Sequence, residues 1–312
     1  MRVLQLPTCP ACGSAEFRAF DLGAGHHLRR CAACATVFAF DYAAPEDIYV
    51  DGYMFGEAGA FGLDVRAPEF QAYLRRVAHR RLELIEGATG RRAGSLLDVG
   101  SGTGEVLLSA RERGWRVQGV EPERSAATMA RDRGLPVAMA ILPDSGLPER
   151  SYDVVSAFHV LEHLPDSRDF LRTLARWSRP GGYVVIEVPN FASVQRRRLA
   201  QRWTGLRPRE HLVHFTPQTL KATFVAAGIT PVAVRSPAYV GPPQSLDQAL
   251  WDLVRPSGRL RRLLAPLSPA RTVGGSPVRY PGRLAWKALG LVERLYDAAG
   301  AGAVVLCVGR VG

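Results

Sequence analysis

Four of the five cysteines fall within the first 34 residues, as Cys9-Pro-Ala-Cys12 and Cys31-Ala-Ala-Cys34, with 18 residues between the pairs. Each C-x-x-C turn offers two thiolates to one tetrahedral ion, so the spacing predicts a zinc ribbon with Cys9, Cys12, Cys31 and Cys34 as ligands. All four corners are sulfur and none is left for water, which makes the expected Zn2+ structural. Two disulfides are the competing reading; the chain opens MRVLQLPTCP with no charged-then-apolar leader, and cytosolic thiols stay reduced. A second set of chemically able residues lies in LLDVGSGTGE, where Asp98 precedes Gly100, Gly102 and Gly104 at the end of an apolar run, with Glu121 further on. A pyrophosphate calls for G-x-G-x-x-G, but the third position here is Glu105, and Asp98 with Glu105 would set two carboxylates beside it, at a cost of roughly a few kcal/mol. A cationic ligand reverses that sign. S-adenosylmethionine carries a sulfonium and an ammonium, its methionine part can lie on bare glycine backbone, and Glu121 can accept from both ribose hydroxyls.

Two histidine-bearing stretches follow. His159-Val-Leu-Glu162-His163 has its histidines four apart, as in a metal site, but no third ligand is evident nearby in the sequence. Glu210-His211, with His214 just beyond, sits ahead of a helix opening at PQTL; His211 is expected to be the general base, Glu210 its orienting partner and His214 the rival candidate. Arg196, Arg197, Arg198 and Arg202 form a dense cluster that reads either as a solvated helix face or as a phosphate clamp.

These residues need a frame to hold them. From Ser95 strand and helix patterns alternate: SLLDVG, EVLLSARERG, WRVQGVE, SAATMARDRG, PVAMAIL, YDVVSAFHVLEH, FLRTLARWS and GGYVVIEVPN. Such alternation predicts a parallel sheet with helices on both faces and ligands at the carboxyl ends of the strands. Ahead of it, Phe70, Leu74, Val77, Leu82 and Ile85 recur at helical spacing with arginines between them.

On these motifs the chain resembles the class I S-adenosylmethionine-dependent methyltransferases over roughly residues 94 to 230. DVGSGTG matches the family's first motif, GVEP its ribose-binding strand end, LPERSYDVVSAFHVLEHLPD its fourth-strand signature and RPGGYVVIEVPN its fifth strand. The resemblance implies that Asp98, Gly100, Gly102, Gly104 and Glu121 contact the cofactor, with His159 close to it. The third-strand exit, AMAILPDSGLP, is where the family reads adenine; Leu142 is placed against the cofactor and Asp144 is its one acidic side chain. The cysteine-bearing N-terminus together with EHLVHFT resembles sugar C-methyltransferases that act on nucleotide-linked deoxysugars, although Pro208 stands where they carry a tyrosine and their large C-terminal domain has no counterpart. ITPVAVRSPAY and AGAVVLCVGRV suit the antiparallel pair that closes this fold.

The expected architecture is therefore α/β: a Rossmann-like seven-stranded methyltransferase sheet with a small N-terminal zinc ribbon and a helical insertion before the last strand. The boundaries read as 1–45 for the ribbon, 46–93 for an aromatic loop and linker helix, 94–240 for the core, 241–300 for a basic amphipathic insertion and 301–312 for the last strand. With 312 residues, 47% of them hydrophobic, the ribbon and the core are each expected to own a hydrophobic core. The net charge of +11 rests on arginine, since Lys221 and Lys287 are the two lysines, and it favours anionic partners. The insertion, with Trp251 and Trp286, reads as a lid or dimer contact or as a membrane-surface piece. The sequence thus predicts a cytoplasmic enzyme that methylates a small molecule, a sugar or glycan intermediate on a nucleotide or lipid phosphate, at oxygen or carbon. A zinc-containing RNA methyltransferase and a non-catalytic scaffold are the alternatives.

Overall fold

The computed structural model describes residues 3–22, 27–43, 68–140, 145–203, 205–207, 210–239, 270–273, 276–279 and 295–312. The N-terminal part holds β1 (Val3–Gln5), β2 (Phe17–Phe20), β3 (Leu28–Cys31), β4 (Val37–Ala39) and β5 (Asp41–Ala43). Helix α1 (Pro68–Thr89) leads into the alternating segment: β6 (Ser95–Val99), α2 (Glu105–Glu112), β7 (Arg116–Val120), α3 (Arg124–Asp132), β8 (Val137–Ala138), β9 (Tyr152–Phe158), α4 (Ser167–Trp177) and β10 (Ser178–Pro189). Then come α5 (Val194–Leu199), β11 (Val213–His214), α6 (Pro217–Ala226), β12 (Thr230–Arg235), a β13 (Ala270–Val273) and β14 (Ser276–Arg279) hairpin, and β15 (Val304–Arg310).

Seven strands form one mixed sheet in the order β12-β15-β10-β9-β6-β7-β8. Strands β8 to β10 run parallel, while β15 is antiparallel to both β10 and β12, the closing pair expected from the two terminal motifs. Because side chains alternate across a strand, neighbours in the apolar runs feed opposite layers. Leu96, Val154 and Val185 pack with Leu82 and Ile85 of α1 and Leu107 of α2. Leu97, Val155 and Val184 pack with Leu171, Leu174 and Trp177 of α4 and Leu220 and Phe224 of α6.

One expectation is corrected. Among the described residues the ribbon shares its core with the sheet: Leu6, Cys9, Cys31 and Phe38 belong to the same buried cluster as the α4 and α6 layer. Burial of these side chains against the sheet, at roughly 1.5–3 kcal/mol for a large apolar side chain, fastens the ribbon to the core. Within the insertion, the described residues include the antiparallel β13–β14 hairpin and a helical turn at residues 295–298. Its amphipathic segments before residue 295, with Trp251 and Trp286, and the aromatic loop containing Tyr49, Tyr53 and Phe55 lie outside the described residues. No helix among the described residues is long and apolar enough to cross a membrane.

The ribbon also reaches across the fold. Its sheet runs β2-β3-β4-β11, so β4 pairs with a strand from the loop after the fifth parallel strand, with Phe38 opposite Val213 and Val37 opposite His214.

Candidate active site

The glycine loop closes β6 and opens α2. Gly100, Gly102 and Gly104 have φ of 71°, 54° and 88°, the left-handed region that side-chain-bearing residues avoid. At Gly100 a Cβ would stand 2.5 Å from the Val160 methyl, and at Gly104 one would stand 2.4 Å from Leu135, so the bare backbone is also a packing requirement. Asp98, at 2% exposure, accepts from the Ser156 hydroxyl at 2.7 Å. Glu121 holds the loop from the end of β7: the Gly102 N–H donates to it at 2.7 Å and the Glu123 N–H at 2.9 Å. Each carboxylate oxygen so engaged keeps a further lone pair for a ligand hydroxyl. Burial raises the Glu121 carboxyl above its ordinary value, with those two N–H donors pulling it back. Glu105 is turned away, paired with Arg133 at 2.6 Å and bonded by the Thr103 hydroxyl, so the acidic lining of the loop is Asp98 and Glu121. Leu142 and Asp144 lie outside the described residues.

Burial pushes the Asp98 carboxyl up to about 7, against the pull of Ser156 and Arg81, and the Glu121 charge adds to the rise. In the free fold this stability contribution is full below the unfolded value of 3.8 and weakens as pH rises towards about 7. A cationic ligand favours the ionised form. S-adenosylmethionine affinity is therefore expected to rise by up to about tenfold per pH unit approaching neutrality from below, with one proton released on binding. Calorimetry in buffers of different ionisation heat reads that proton; a pH-independent affinity in the native protein, or a dependence unchanged in Asp98→Asn, refutes the assignment.

Next to this loop lies a polar network built on two buried glutamates, with the His159 ring reaching solvent above them. His159, at the end of β9, has φ of 57° and stands between two carboxylates: Nδ1 donates to Glu162 at 3.2 Å and Nε2 lies 3.4 Å from Glu187. Burial opposes its charge, but the two glutamates outweigh it and raise the imidazole to about 9. Glu187, fully buried in β10, also receives Arg81 of α1 at 2.5 Å and the Tyr239 hydroxyl at 2.5 Å. Burial would raise both Glu187 and Glu162, yet Arg81 and His159 hold the first near 2 and His159 and His163 the second. Arg81, Glu187 and Tyr239 were not singled out in the sequence; a lone carboxylate inside YVVIEVP was the available signal.

The loop before α6 departs from expectation. The ring Nδ1 of His211 is held by the Gly205 carbonyl at 2.9 Å, while the Glu210 carboxylate pairs with Arg207 at 3.3 Å and the Glu210 carbonyl accepts from His163 at 2.9 Å. Among the described contacts the Glu210 side chain pairs with the nearby Arg207 guanidinium, and the His211 ring is held by a main-chain carbonyl. Burial lowers His211 to about 3, which keeps it neutral but makes it a weak base. His214 is buried in β11 and stacks on Phe191 with centroids 5.2 Å apart. Phe191 also carries Arg196 over its ring at 4.2 Å and neighbours Phe20 at 6.1 Å, beneath Arg30. Burial, then the charges of Arg197 and Arg30, lower the Arg196 guanidinium, marking a shared positive patch between ribbon and loop. Arg198 is exposed.

The four cysteines meet as predicted by their spacing. Cys9 and Cys34 sulfurs are 3.6 Å apart and Cys12 and Cys31 sulfurs 3.5 Å, and all four thiols are free. A tetrahedron of Zn–S bonds of about 2.3 Å has edges of about 3.8 Å, so the geometry fits that ion. Each turn closes alike: the Gly13 N–H bonds the Cys9 carbonyl and the Ala35 N–H the Cys31 carbonyl, with φ of 79° and 62°. The bond from Cys9 lowers Cys34 to about 4, burial raises Cys12 to about 11, and Cys9 is raised: the thiols share protons that a cation would displace.

Comparison with known proteins places this site in a family. A profile described as a methyltransferase domain matches residues 70–234, and the chain belongs to that family. It carries an S-adenosylmethionine-dependent methyltransferase domain with a seven-stranded mixed sheet. Among curated relatives, the ubiquinone biosynthesis O-methyltransferase of Bordetella avium is 29% identical over 177 residues, 51% of this chain and 72% of that protein. The protein of the same name from Alkalilimnicola ehrlichii is 31% identical over 117 residues, 35% of this chain, and the match spans only 45% of that relative's length. Solved structures of similar fold include geranyl diphosphate C-methyltransferase from Streptomyces coelicolor A3(2), at 17% identity and a TM-score of 0.48, covering 86% of this chain and all of that one. A methyltransferase of Thermotoga maritima covers 78% of this chain and 98% of its own at 17% identity and a TM-score of 0.47.

Proposed function

We propose that this enzyme methylates an anionic small molecule, a sugar or glycan intermediate carried on a nucleotide or lipid phosphate, with transfer to oxygen. The observation that carries the acceptor class is the patch of Arg30, Arg196 and Arg197 beside the Phe20 and Phe191 rings, at the same edge as the His211 loop. Guanidinium groups suit phosphate oxygens, and stacked rings suit a sugar or base face. The relatives' name favours oxygen over carbon, and it supplies a second reading in which the acceptor is a ring hydroxyl such as ubiquinone biosynthesis provides.

In this reading Asp98 meets the ammonium end of S-adenosylmethionine, the three glycines let its methionine part approach, and Glu121 receives the ribose hydroxyls. His159, Glu162, His163 and His211 face the acceptor side, and in-line displacement takes the methyl from sulfur to the acceptor oxygen. Zn2+ in the four-thiolate cluster fixes the ribbon. The test is transfer of radiolabelled methyl to sugar nucleotides, polyprenyl-phosphate sugars and phenolic acceptors in parallel. Arg196→Ala with Arg197→Ala is expected to raise KM for a phosphate-linked acceptor by about 10- to 100-fold with kcat little changed. Labelling confined to phenols, with no effect of the arginine changes, establishes the second reading instead.

A further inference from the structure

We infer that Glu162, His163 and His211 form a second metal site, distinct from the thiolate cluster, that binds one divalent cation and presents it to the acceptor's oxygen. This rests on the acceptor placement proposed above. One ligand atom from each residue lies within 4.8 Å of the others. Glu162 and His163 stand on the short turn Leu161–His163 after β9, and His211 arrives from the loop before β11, tied to that turn by the Leu212 N–H on the Glu162 carbonyl at 2.7 Å.

Three observations point to a cation. Both imidazoles donate Nδ1–H to a main-chain carbonyl, His163 to Glu210 and His211 to Gly205, each at 2.9 Å. A carbonyl only accepts, so each ring carries a proton on Nδ1; in the neutral form each Nε2 then offers a lone pair, the tautomer that backbone partners impose on metal-bound histidines. Glu162 is 1% exposed and its Oε2 is buried without a hydrogen-bond partner, although Oε1 has His159. A buried carboxylate oxygen left unpaired is costly, and lone pairs converging on it from imidazole repel unless a cation lies between. Finally, the His163 Nε2 is 3.9 Å from Glu162 Oε1 and the two rings meet edge to face at 4.8 Å, so contraction by about 1 Å reaches the ligand spacing of Zn–N and Zn–O bonds near 2.1 Å.

Two imidazoles and one carboxylate suit Mn2+, Fe2+, Co2+ or Zn2+ and leave positions open for substrate. Val160, on the same turn, packs on Gly100, which puts those open positions next to the cofactor loop. A metal-bound acceptor hydroxyl loses its proton to water. Its oxygen pair then forms the O–CH3 bond while the S–CH3 pair returns to sulfur, giving the ether, S-adenosylhomocysteine and one proton.

The experiment is titration of the full chain, its thiolate cluster loaded with zinc, with Mn2+ alone and then Co2+ alone, followed by electron paramagnetic resonance and calorimetry. One bound ion per chain beyond the zinc is expected, with affinity at least tenfold weaker in Glu162→Gln and in His211→Ala; retained zinc and cofactor binding verify folding. His163→Asn replaces either variant that fails to fold. No ion beyond the thiolate-held zinc, or unchanged affinity in the folded variants, overturns the site. Metal binding without methyl transfer to any phosphate-linked acceptor would overturn the acceptor reading and leave the site standing.

Discussion

Stripping zinc from the four-thiolate cluster is expected to lower turnover by at least about 100-fold while S-adenosylmethionine affinity changes only a few-fold. The asymmetry follows from what the ribbon touches. Its strand β4 pairs with β11, the Ala39 N–H bonds the Leu212 carbonyl, and Leu212 in turn bonds Glu162. The ribbon also holds the start of α4, through the Pro10 carbonyl to the Ser167 N–H and the Cys12 carbonyl to Arg168 at 3.1 Å. The Asp98 and Glu121 side chains are instead held by Ser156, Gly102 and Glu123, within the sheet. Loss of metal is expected to unfold the turns that carry the thiols, and the order of the His211 loop to go with them. Elemental analysis, calorimetry and hydrogen exchange at Leu212 to His214 check each part; undiminished turnover in zinc-free protein would sink the coupling.

The second large effect concerns Glu187. Its side chain is fully buried against Arg81, Tyr239 and His159, and removing it strands a guanidinium in the interior. Breaking one side of such a pair costs about 3–5 kcal/mol, so Glu187→Ala should lower Tm by on the order of 10 °C. Replacing both partners, Arg81→Met with Glu187→Leu, should cost much less, because no guanidinium is then stranded and His159 keeps Glu162 as its partner. The pH behaviour has a definite sign. Burial resists the ionised form, but Arg81 and His159 depress Glu187 from 4.5 to about 2, so its contribution is fully present above 4.5 and disappears as pH falls through about 2. Denaturant unfolding of the three proteins at neutral and acid pH checks this, and a double variant as unstable as the single one would refute it.

What the sequence revealed and what it hid divide along a physical line. Strands β6, β7, β9 and β10 and the glycine turns were legible because they depend on local periodicity and on φ values that few residues adopt. The thiolate cluster was legible because each C-x-x-C turn is self-contained. Strand β8 shrank to Val137–Ala138 from an apolar PVAMAIL that carried no boundary signal. The partners of His211 were hidden, since a main-chain carbonyl has no letter in the sequence and Gly205 is chosen by the path of the loop. Arg81 was hidden among many arginines, as only tertiary packing decides which one turns inward to a strand carboxylate. His159 and His163 suggested a metal site lacking one ligand; the fold retains His163, draws His159 to Glu187 and supplies His211 from a distant loop.

The β4–β11 pairing has a practical corollary for anyone shortening the chain. A version beginning at residue 68 would keep the whole seven-stranded sheet, yet β11 would lose its neighbour and become an edge with unpaired N–H and C=O groups. Leu212, Val213 and Phe215, all buried in the intact protein, would then face water beside that edge. Short apolar strands exposed in this way recruit one another, so the trimmed enzyme would self-associate through the very loop that should receive its substrate.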